Sequence, residues 1–376
     1  MHRPLPAAVA AVTLAALVAC DNPPSTAPAS PDAAAARAAA PNAPAVIVSG
    51  LHYPRGFAFG RDGAIYVAEA GEQAGNDRST VGLCEQTPAP VGPYSGGFTG
   101  RVSRVTMAGH RTTVADALPS ARNAMGDMDG VADVAFADSK MYVLIAAGCG
   151  RGLLGTPSSV TRIKENGKRK MEANLSRWIR AHPVAHPEED DFEPDGDWYN
   201  MAASEKGLYL VEANQGNLVF VRPDNGEVRR VADVSAIENG HVVPTGLSLV
   251  HRSSDILVGE LTPFPSVPGA SNLLRFSDHG KLESRMTGFS AVLGVANDPA
   301  GNTYVLETFK CATATPCFPS PGSGDIVKVA HDGTRSIVAS GLSFATAMRL
   351  GPDGALYVSN FGYGPPGMGQ ILRIMP

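Results

Sequence analysis

A motif of two short apolar strands joined by a tight turn recurs six times along this chain, and no other feature limits the possible folds more. Its fullest form reads GLHYPRGFAFGRDGAIYVAEAG over residues 50–71, and it returns as GLSFATAMRLGPDGALYVSNFG over residues 341–362. The centres of the six second strands are Tyr66, Tyr142, Tyr209, Leu257, Tyr304 and Tyr357. A repeat of roughly 40–50 residues built from short strands is typical of a β-propeller, in which each copy forms one four-stranded sheet. The sequence therefore predicts an all-β, six-bladed β-propeller, with a seven-bladed ring as the alternative.

The two ends of the repeat region predict how the ring closes. The last copy supplies strands near residues 346–350, 355–359 and 370–374, and no fourth strand follows them in the sequence. Residues 45–48 (AVIV) form an apolar strand that has no partner of its own. We expect this N-terminal strand to join the last blade, because that pairing closes the ring without an exposed sheet edge.

Composition supports a turn-rich β fold and excludes one class of partner. The chain contains 41 glycines and 30 prolines in 376 residues, which suits many short strands separated by turns. The formal net charge is −5, and lysine and arginine are not clustered. A nucleic-acid partner requires a basic face that neutralises phosphates, so we expect no nucleic acid to bind.

The N-terminus carries an export signal. Basic residues at 1–3 precede a short apolar run at 7–18, and Leu17-Val18-Ala19-Cys20 resembles the lipobox of bacterial lipoproteins. We predict a lipoprotein signal peptide at 1–19, lipidation of Cys20, an Ala/Pro-rich tether to residue 43 and a propeller over 44–376. The alternative is an ordinary signal peptide. Either places the mature protein outside the cytoplasm, and lipidation anchors it to a membrane on the periplasmic or other extracytoplasmic face.

Four cysteines remain after Cys20, and an even number in an exported chain favours disulfides. Cys311 and Cys317 lie in one loop and can pair with each other. Cys84 and Cys149 are then left to form the second disulfide, which requires the loops after the first two Tyr-Val strands to be neighbours. In a propeller these loops belong to adjacent blades.

The long insertions all fall on one face of the predicted propeller, so we expect a binding site at that mouth of the channel. Three residues after the centre of the second strand, four copies carry a glutamate: Glu69, Glu212, Glu260 and Glu307. Asn360 occupies the same position in the last copy. Glutamates that converge at the mouth would form a hard-cation site, with Ca²⁺ as the candidate, or an acid/base pair. The alternative is that each glutamate caps backbone N–H groups of the next blade's loop.

The residues at the start of the first strand of each blade, which we call the entry positions, are further binding candidates. Arg55, Tyr199 and Thr245 occupy this position in three copies, and Asn214 follows Glu212 closely. The sequence assigns no catalytic residue. The stretch from Asp127 to Asp133 resembles part of a calcium loop but lacks the full ligand series.

Taken over residues 45–376, the sequence resembles the ScyD/ScyE family of exported propellers, which are relatives of NHL-repeat proteins. The resemblance rests on the motif at residues 50–71, on TGRVSRV at 99–105, VPTGLSL at 243–249, LVGELTPFP at 257–265 and DGALYVSNFG at 353–362. It implies an exported six-bladed propeller without a defined reaction. Gluconolactonase-like calcium propellers place Glu, Asn and Asp at the entry positions, and this chain does not.

The leading hypothesis is a binding propeller of the cell envelope that recognises a small molecule, a glycan or a protein through its mouth. The alternative is a metal-dependent hydrolase or lactonase-like enzyme that uses the four glutamates. A third possibility is an assembly scaffold, which a large exposed apolar patch on the rim would favour. The sequence leaves open whether the protein is an enzyme.

Overall fold

Six antiparallel sheets surround a central channel in the computed structural model, which describes residues 44–187, 192–263, 265–310 and 318–376. The first blade contains β2 (Pro54–Phe59), β3 (Ile65–Glu69), β4 (Asn76–Arg78), β5 (Ser95–Val105), β6 (Arg111–Arg122) and β7 (Met128–Asp129). The second contains β8 (Val131–Ala137), β9 (Lys140–Ile145), β10 (Ser159–Ile163) and β11 (Arg169–Asn174). The third contains β12 (Trp198–Ser204), β13 (Gly207–Glu212), β14 (Asn217–Arg222) and β15 (Glu227–Asp233).

The remaining three blades follow the same four-strand plan. The fourth contains β16 (Pro244–Leu249), β17 (Ile256–Glu260), β18 (Ser271–Phe276) and β19 (Leu282–Phe289). The fifth contains β20 (Val292–Asn297), β21 (Thr303–Glu307), β22 (Gly324–Val329) and β23 (Arg335–Leu342). The sixth contains β24 (Ala347–Leu350), β25 (Leu356–Asn360), β26 (Gly369–Ile374) and the N-terminal strand β1 (Ala45–Leu51). The prediction of a six-bladed β-propeller is therefore confirmed.

The ring closes as the sequence predicts. The first strands of the blades contact one another in chain order, and β24 of the last blade contacts β2 of the first. Strand β1 pairs antiparallel with β26, from Ala45 opposite Arg373 to Leu51 opposite Gly369. Leu51 is fully buried, and Val48 packs in the same cluster between the last and first blades. The N-terminal strand thus completes the sixth sheet and covers its outer edge.

Local sequence explains the repeated hairpins. In the Asp62-Gly63 turn, Gly63 adopts a φ of 75°, and the Asp62 carboxylate accepts a hydrogen bond from the backbone N–H of Ala64 at 3.2 Å. The Asp353-Gly354 turn repeats both features. An Asp-Gly pair supplies the positive φ and the side-chain acceptor that such a turn needs. These turns lie at the far ends of the first strands, on the face opposite the mouth.

Apolar side chains between adjacent sheets form the core. Phe57, Ile65 and Val67 of the first blade pack with Tyr357 and Ile371 of the last, and all five are essentially buried. Burying each such side chain contributes about 1.5–3 kcal/mol, so the contacts between blades hold the ring together.

Two short helices, which the sequence reading did not predict, lie in the insertions. Helix α1 (Leu175–Ala181) begins where the Asn174 side chain accepts the N–H of Arg177, and it buries Trp178. Helix α2 (Val234–Glu238) begins in the same way at the carboxylate of Asp233. Asparagine and aspartate at these positions stabilise helix starts that a β-repeat pattern hides.

Several predictions fall outside the described residues. These are the signal peptide at 1–19, lipidation of Cys20, the tether to residue 43 and the disulfide between Cys311 and Cys317. Among the described residues, no helix has the length and apolar character needed to cross a membrane.

Candidate functional site

A β-bulge recurs where the first strand of a blade begins. The pairing register between first and second strands shifts there in five blades: at Pro54/Phe57, Val131/Asp133, Trp198/Asn200, Pro244/Gly246 and Val292/Gly294. Bulges re-aim the side chains they contain and are common beside functional sites. The predicted entry residues Arg55, Tyr199 and Thr245 lie within these shifts.

The entry residues connect blades across the mouth. The Tyr199 hydroxyl donates to the carbonyl of Thr346 at 2.9 Å, and Thr346 in turn donates to the carbonyl of Pro54 at 2.7 Å. Arg55 and Tyr199 line the same small cavity. Thr245 is buried and donates to the carbonyl of Val292 at 2.6 Å, so it joins the fourth blade to the fifth. The structure therefore brings Arg55 and Tyr199 together and gives Thr245 a role in packing.

Two arginines and three carboxylates form a charge cluster at the mouth, which we call the mouth cluster (Arg55, Asp129, Arg151, Glu193 and Asp197). Arg55 binds the Asp129 carboxylate at 3.3 Å and the carbonyl of Met128. Arg151 binds Asp129 at 2.9 Å and Asp197 at 3.1 Å, and it also pairs with Glu193. Asp129 thus bridges both arginines, and the cluster joins residues of the first three blades.

The mouth cluster is partly buried and partly open. The side chain of Arg151 is 1% exposed, whereas those of Asp129 and Asp197 are 22% and 32% exposed. Burial raises the pKa of Glu193 well above its usual value and also raises the pKa of Asp197, although Arg151 opposes both shifts. The buried arginine therefore anchors a set of acids, two of which can meet a molecule at the mouth.

A disulfide holds the loop that carries Arg151. Cys84 and Cys149 are bonded, which confirms their predicted pairing. Cys149 begins a single 3-10 turn that ends at Arg151, and the N–H of Gly150 donates to the Asp195 carboxylate at 3.0 Å. The Thr80 hydroxyl also donates to the carbonyl of Cys149. Covalent and hydrogen bonds together fix Arg151 in its place, which pre-organises the charges around it.

A small cavity of about 10 Å³ lies beside the cluster. Its lining residues are Arg55, Asp129, Gly130, Ala132, Ala146, Asp197, Trp198 and Tyr199. Such a volume has room for about one water-sized group.

Arg349 fills the channel beneath the mouth. Its guanidinium binds the Asp133 carboxylate at 2.7 Å, the Asn200 side chain at 2.8 Å and the carbonyls of Met201 and Leu247 at 2.9 and 3.1 Å. These partners belong to the second, third and fourth blades, while Arg349 lies on the sixth. Burial raises the pKa of Asp133 to about 6, although Arg349 opposes the shift. Arg349 thus forms a polar floor below the mouth cluster.

Glu69 is bound inside its own blade. It accepts the backbone N–H of His52 at 2.7 Å, the Ser103 hydroxyl, and the Arg111 guanidinium at 2.7 Å from each carboxylate oxygen. Each carboxylate oxygen offers about two acceptor positions, and these contacts use them. The acceptor positions of Glu69 are therefore taken by donors of the chain.

Glu212 is bound in the same way. It accepts the backbone N–H groups of Asp197 and Asn214 at 2.9 Å, that of Gln215 at 3.0 Å, and the Asn217 side chain at 3.1 Å. Burial raises its pKa to about 7. The predicted binding residue Asn214 is buried as well, and its side chain accepts the backbone N–H of Glu193 at 2.8 Å. Asn214 therefore positions a member of the mouth cluster.

The residues at the ends of the other second strands have different hydrogen-bond contacts in different blades. Glu307 accepts the N–H of Ser290 at 2.7 Å, and Asn360 accepts the N–H of Ser343 at 2.8 Å. Glu260 is 3% exposed, and its Oε1 has no hydrogen-bond partner among the described residues. These residues end second strands, one strand outside those that surround the channel. Glu69, Glu212, Glu307 and Asn360 do cap backbone N–H groups, but in the loop that enters their own blade and not, as the alternative had it, in the loop of the next blade.

Within the described ranges, no three His, Cys, Asp or Glu side chains are grouped so that they could hold a metal ion. The metal hypothesis for the glutamates stays a prediction. Among their buried oxygens, Glu260 Oε1 and Glu307 Oε2 have no hydrogen-bond partner in the described part of the chain. Asp129 and Asp133, from the stretch resembling a calcium loop, instead pair with arginines.

Sequence reasoning missed Arg151, Glu193 and Asp197 in the mouth cluster. Their loops approach one another only after the blades close, so spacing along the chain gives no direct signal. One indirect signal exists: Arg151 lies two residues after Cys149, and a predicted disulfide marks a loop whose position is fixed.

No family model matches the chain, and no curated protein matches it. Many solved structures share its fold. A putative oxidoreductase (glucose dehydrogenase) from Thermus thermophilus has a TM-score of 0.53 at 14% identity, with 89% of this chain and 100% of the other covered. A gluconolactonase from Xanthomonas campestris has a TM-score of 0.52 at 12% identity, with 89% of each chain covered. Regucalcin, a calcium-binding protein from Agrobacterium tumefaciens, has a TM-score of 0.53 at 13% identity, with 89% and 93% covered. The likeness shows a shared propeller fold.

Proposed function

We propose that this protein is a lipid-anchored binding propeller of the cell envelope that captures a small polar molecule at the mouth of its channel. The observation that carries the proposal is the mouth cluster, in which a buried arginine holds carboxylates that are partly open to solvent. A fixed set of donors and acceptors beside a cavity is the usual arrangement of a small-molecule site.

The chemistry of the mouth favours a ligand that both donates and accepts hydrogen bonds. Arg55 offers N–H donors, and Asp129 and Asp197 offer acceptors. Tyr199 lines the same cavity and adds an aromatic surface, with its hydroxyl already bonded to the carbonyl of Thr346 in the sixth blade. The narrow cavity favours a small molecule over a glycan chain or a protein surface, because only a small group can reach the buried charges.

Export and anchoring are part of the proposal. The leader with Cys20 and the resemblance to the ScyD/ScyE family support an envelope location. The disulfide between Cys84 and Cys149 agrees with it, because disulfides persist in oxidising compartments.

The alternative, a metal-dependent hydrolase or lactonase-like enzyme, receives less support. The gluconolactonase and the calcium-binding regucalcin compared above have the same fold. A hydrolase or lactonase activity with a Ca²⁺ cofactor is therefore the second candidate function. Two of the four candidate glutamates, Glu69 and Glu212, have their oxygens occupied by donors of the chain.

The test is equilibrium dialysis of the mature protein against the small-molecule fraction of an envelope extract, followed by mass spectrometry. The variant Arg55→Met/Asp197→Asn removes one donor and one acceptor of the mouth. Arg373→Met is the matched control, because Arg373 forms an exposed ion pair with Asp353 on the opposite face. We expect at least one compound to be enriched by the wild type and the control but not by the mouth variant. Identical enrichment by all three proteins would contradict the proposal.

A further inference from the structure

A cleft lies on the face that carries the hairpin turns, opposite the mouth. It is bounded by the hairpin that joins β2 to β3 in the first blade and by the hairpin that joins β8 to β9 in the second. Its volume is about 360 Å³. An apolar cavity of about 150 Å³ holds a benzene molecule, so the cleft has room for a ring with a polar side chain. The volume also lies within the range of small-molecule sites, roughly 300–1,000 Å³.

Three partly exposed aromatic side chains, Phe59, Tyr66 and Phe136, line the cleft. The rings of Tyr66 and Phe136 meet edge to face across the boundary of the two blades, with their centroids 5.0 Å apart. Phe59 and Phe136 occupy equivalent positions at the ends of first strands, where they pair with Ile65 and Met141. The same position carries non-aromatic residues in the other four blades: Ala203, Leu249, Asn297 and Leu350. The fold therefore does not require an aromatic ring here, and two rings on adjacent blades form a surface on which a ligand ring can pack.

Two charged side chains at the cleft have no partner in the described part of the chain. Arg61 lies in the turn of the first blade and Asp138 in the turn of the second, and both residues are exposed. Neither side chain forms an ion pair or a hydrogen bond with another described residue. Asp62, by contrast, accepts the Arg104 guanidinium at 2.6 Å and the Tyr66 hydroxyl at 3.2 Å. The cleft therefore offers one unpaired positive charge and one unpaired negative charge, one from each hairpin.

The turn that carries Asp138 is strained. Ala137 pairs with Lys140, which leaves a two-residue loop, and Asp138 and Ser139 adopt φ values of 48° and 63°. Hairpin loops of this kind favour an Asn-Gly or Asp-Gly pair, so Ser139 stands where glycine is usual. The serine adds a hydroxyl to the lining of the cleft. Residues held in such conformations are concentrated at ligand sites, where their side chains are needed.

We propose that this cleft is a second binding site, separate from the mouth cluster, for a small aromatic molecule that carries both a carboxylate and an ammonium group, as a free aromatic amino acid does. The ring of the ligand packs against Phe59 and Phe136. Its carboxylate accepts hydrogen bonds from the forked guanidinium of Arg61, and its ammonium donates to Asp138 and to the Ser139 hydroxyl. The aromatic walls select the ring, and the two opposite charges select a zwitterion over a compound with one charge.

The experiment is titration of L-phenylalanine into the mature protein, followed by ligand-observed NMR. Three comparison compounds each lack one feature: phenethylamine lacks the carboxylate, hydrocinnamate lacks the ammonium and L-leucine lacks the ring. We expect a dissociation constant of about 0.1–1 mM for L-phenylalanine, as suits a ligand of this size in an open cleft. Each comparison compound should bind at least about threefold more weakly, because each loses either a charge-assisted hydrogen bond or the ring contact.

Variants of the two unpaired charges locate the site. Arg61→Gln and Asp138→Asn should each weaken binding of L-phenylalanine by about threefold to tenfold, between the effect of an exposed ion pair and that of a charge-assisted hydrogen bond. Arg252→Gln and Glu205→Gln are the matched controls, because they remove exposed charges from the hairpins of the fourth and third blades. Both controls should bind as the wild type does. All four residues are exposed, so the variants should melt close to the wild-type temperature.

The mouth variant Arg55→Met/Asp197→Asn separates this site from the mouth cluster, and it should bind L-phenylalanine as the wild type does. The proposal is overturned if L-phenylalanine shows no saturable binding up to about 10 mM, ten times the upper limit expected. It is equally overturned if L-leucine binds as well as L-phenylalanine, or if Arg61→Gln and Asp138→Asn bind no more weakly than Arg252→Gln and Glu205→Gln. Loss of binding in the mouth variant alone would also overturn it.

Discussion

Replacement of Arg349 by methionine tests the polar floor of the channel most directly. Arg349 is bonded to residues of four other blades, including the carbonyl of Phe57 on the first at 3.4 Å, and Asp133, its charged partner, is fully buried. Methionine has a similar length and no charge, so the variant leaves the Asp133 carboxylate buried without its counter-charge. Removal of one partner from a buried ion pair costs about 3–5 kcal/mol.

That cost translates into a measurable change in thermal stability. Unfolding entropy is about 2.1 cal/mol/K per residue, so a propeller of about 330 residues should lose roughly 4–7 °C of melting temperature. The loss should be larger at pH 8 than at pH 5. Asp133 has a pKa of about 6 even beside Arg349, and without the arginine its neutral form, which dominates at low pH, tolerates burial better.

The assay is urea and thermal unfolding of Arg349→Met, Asp133→Asn and the double variant, with Arg373→Met as the exposed control. Arg373→Met should leave the unfolding midpoint close to that of the wild type, because exposed ion pairs contribute little to stability. The double variant should be more stable than Arg349→Met alone, because the uncompensated charge is gone. Arg349→Met could instead lower the free energy of unfolding by less than about 1 kcal/mol, or the effects in the double variant could be strictly additive. Either result would contradict a buried ion pair between Arg349 and Asp133.

Three further predictions concern closure, the disulfide and pH. Leu51→Ala should lower the free energy of unfolding in urea by about 2–5 kcal/mol, because it leaves a cavity in the core beneath β1. Val46→Ala, on the exposed side of the same strand, should change it by less than about 0.5 kcal/mol. Equal effects of the two variants would contradict closure of the ring by β1. Replacement of Cys84 and Cys149 by serine should cost up to about 4 kcal/mol, the entropy of a loop with a sequence separation of 65 residues, and an unchanged urea midpoint would show that the disulfide does not hold this rim. The pKa of Glu212 is raised to about 7 in the folded state, so its contribution is fully present below about pH 4.5 and is lost as pH rises through 7. Glu212→Gln should therefore flatten the pH dependence of unfolding by about 3 kcal/mol over that window, and parallel wild-type and variant profiles would be the contrary result.

The architecture could be predicted from the sequence because each hairpin of the fold has its own local sequence pattern. Each short apolar core of a second strand indicates a hairpin by itself, and six such cores in order leave few alternatives to a propeller. The closure could be predicted for a related reason: β1 and the unpaired edge of β26 are both visible as sequence segments. The helices were missed because a single capping residue, Asn174 or Asp233, outweighs a weak local pattern.

The site was harder to predict because its contacts join distant parts of the chain. Arg349 could have been recognised from the sequence as exceptional. The equivalent positions of the other first strands all carry small residues: Ala58, Ala135, Ala202, Ser248 and Ala296. An arginine at one of six equivalent positions on the strands that surround the channel indicates a positive charge inside the channel. Glu193 offered no comparable signal, because it follows an acidic stretch that is typical of a solvated loop. The four glutamates were singled out correctly as a repeated feature, but repetition in this fold also arises from capping, which Glu69, Glu212 and Glu307 provide in their own blades.

Hydrogen–deuterium exchange of the mature protein, with and without the small-molecule fraction of an envelope extract, tests the central claim that the mouth binds a ligand. The account predicts slower exchange over residues 127–132, 149–151 and 193–199, and no change at the opposite turn near residues 353–354. It also predicts that Arg55→Met/Asp197→Asn abolishes the protection. Protection confined to the turn-bearing face, or no protection at the mouth, would contradict the account.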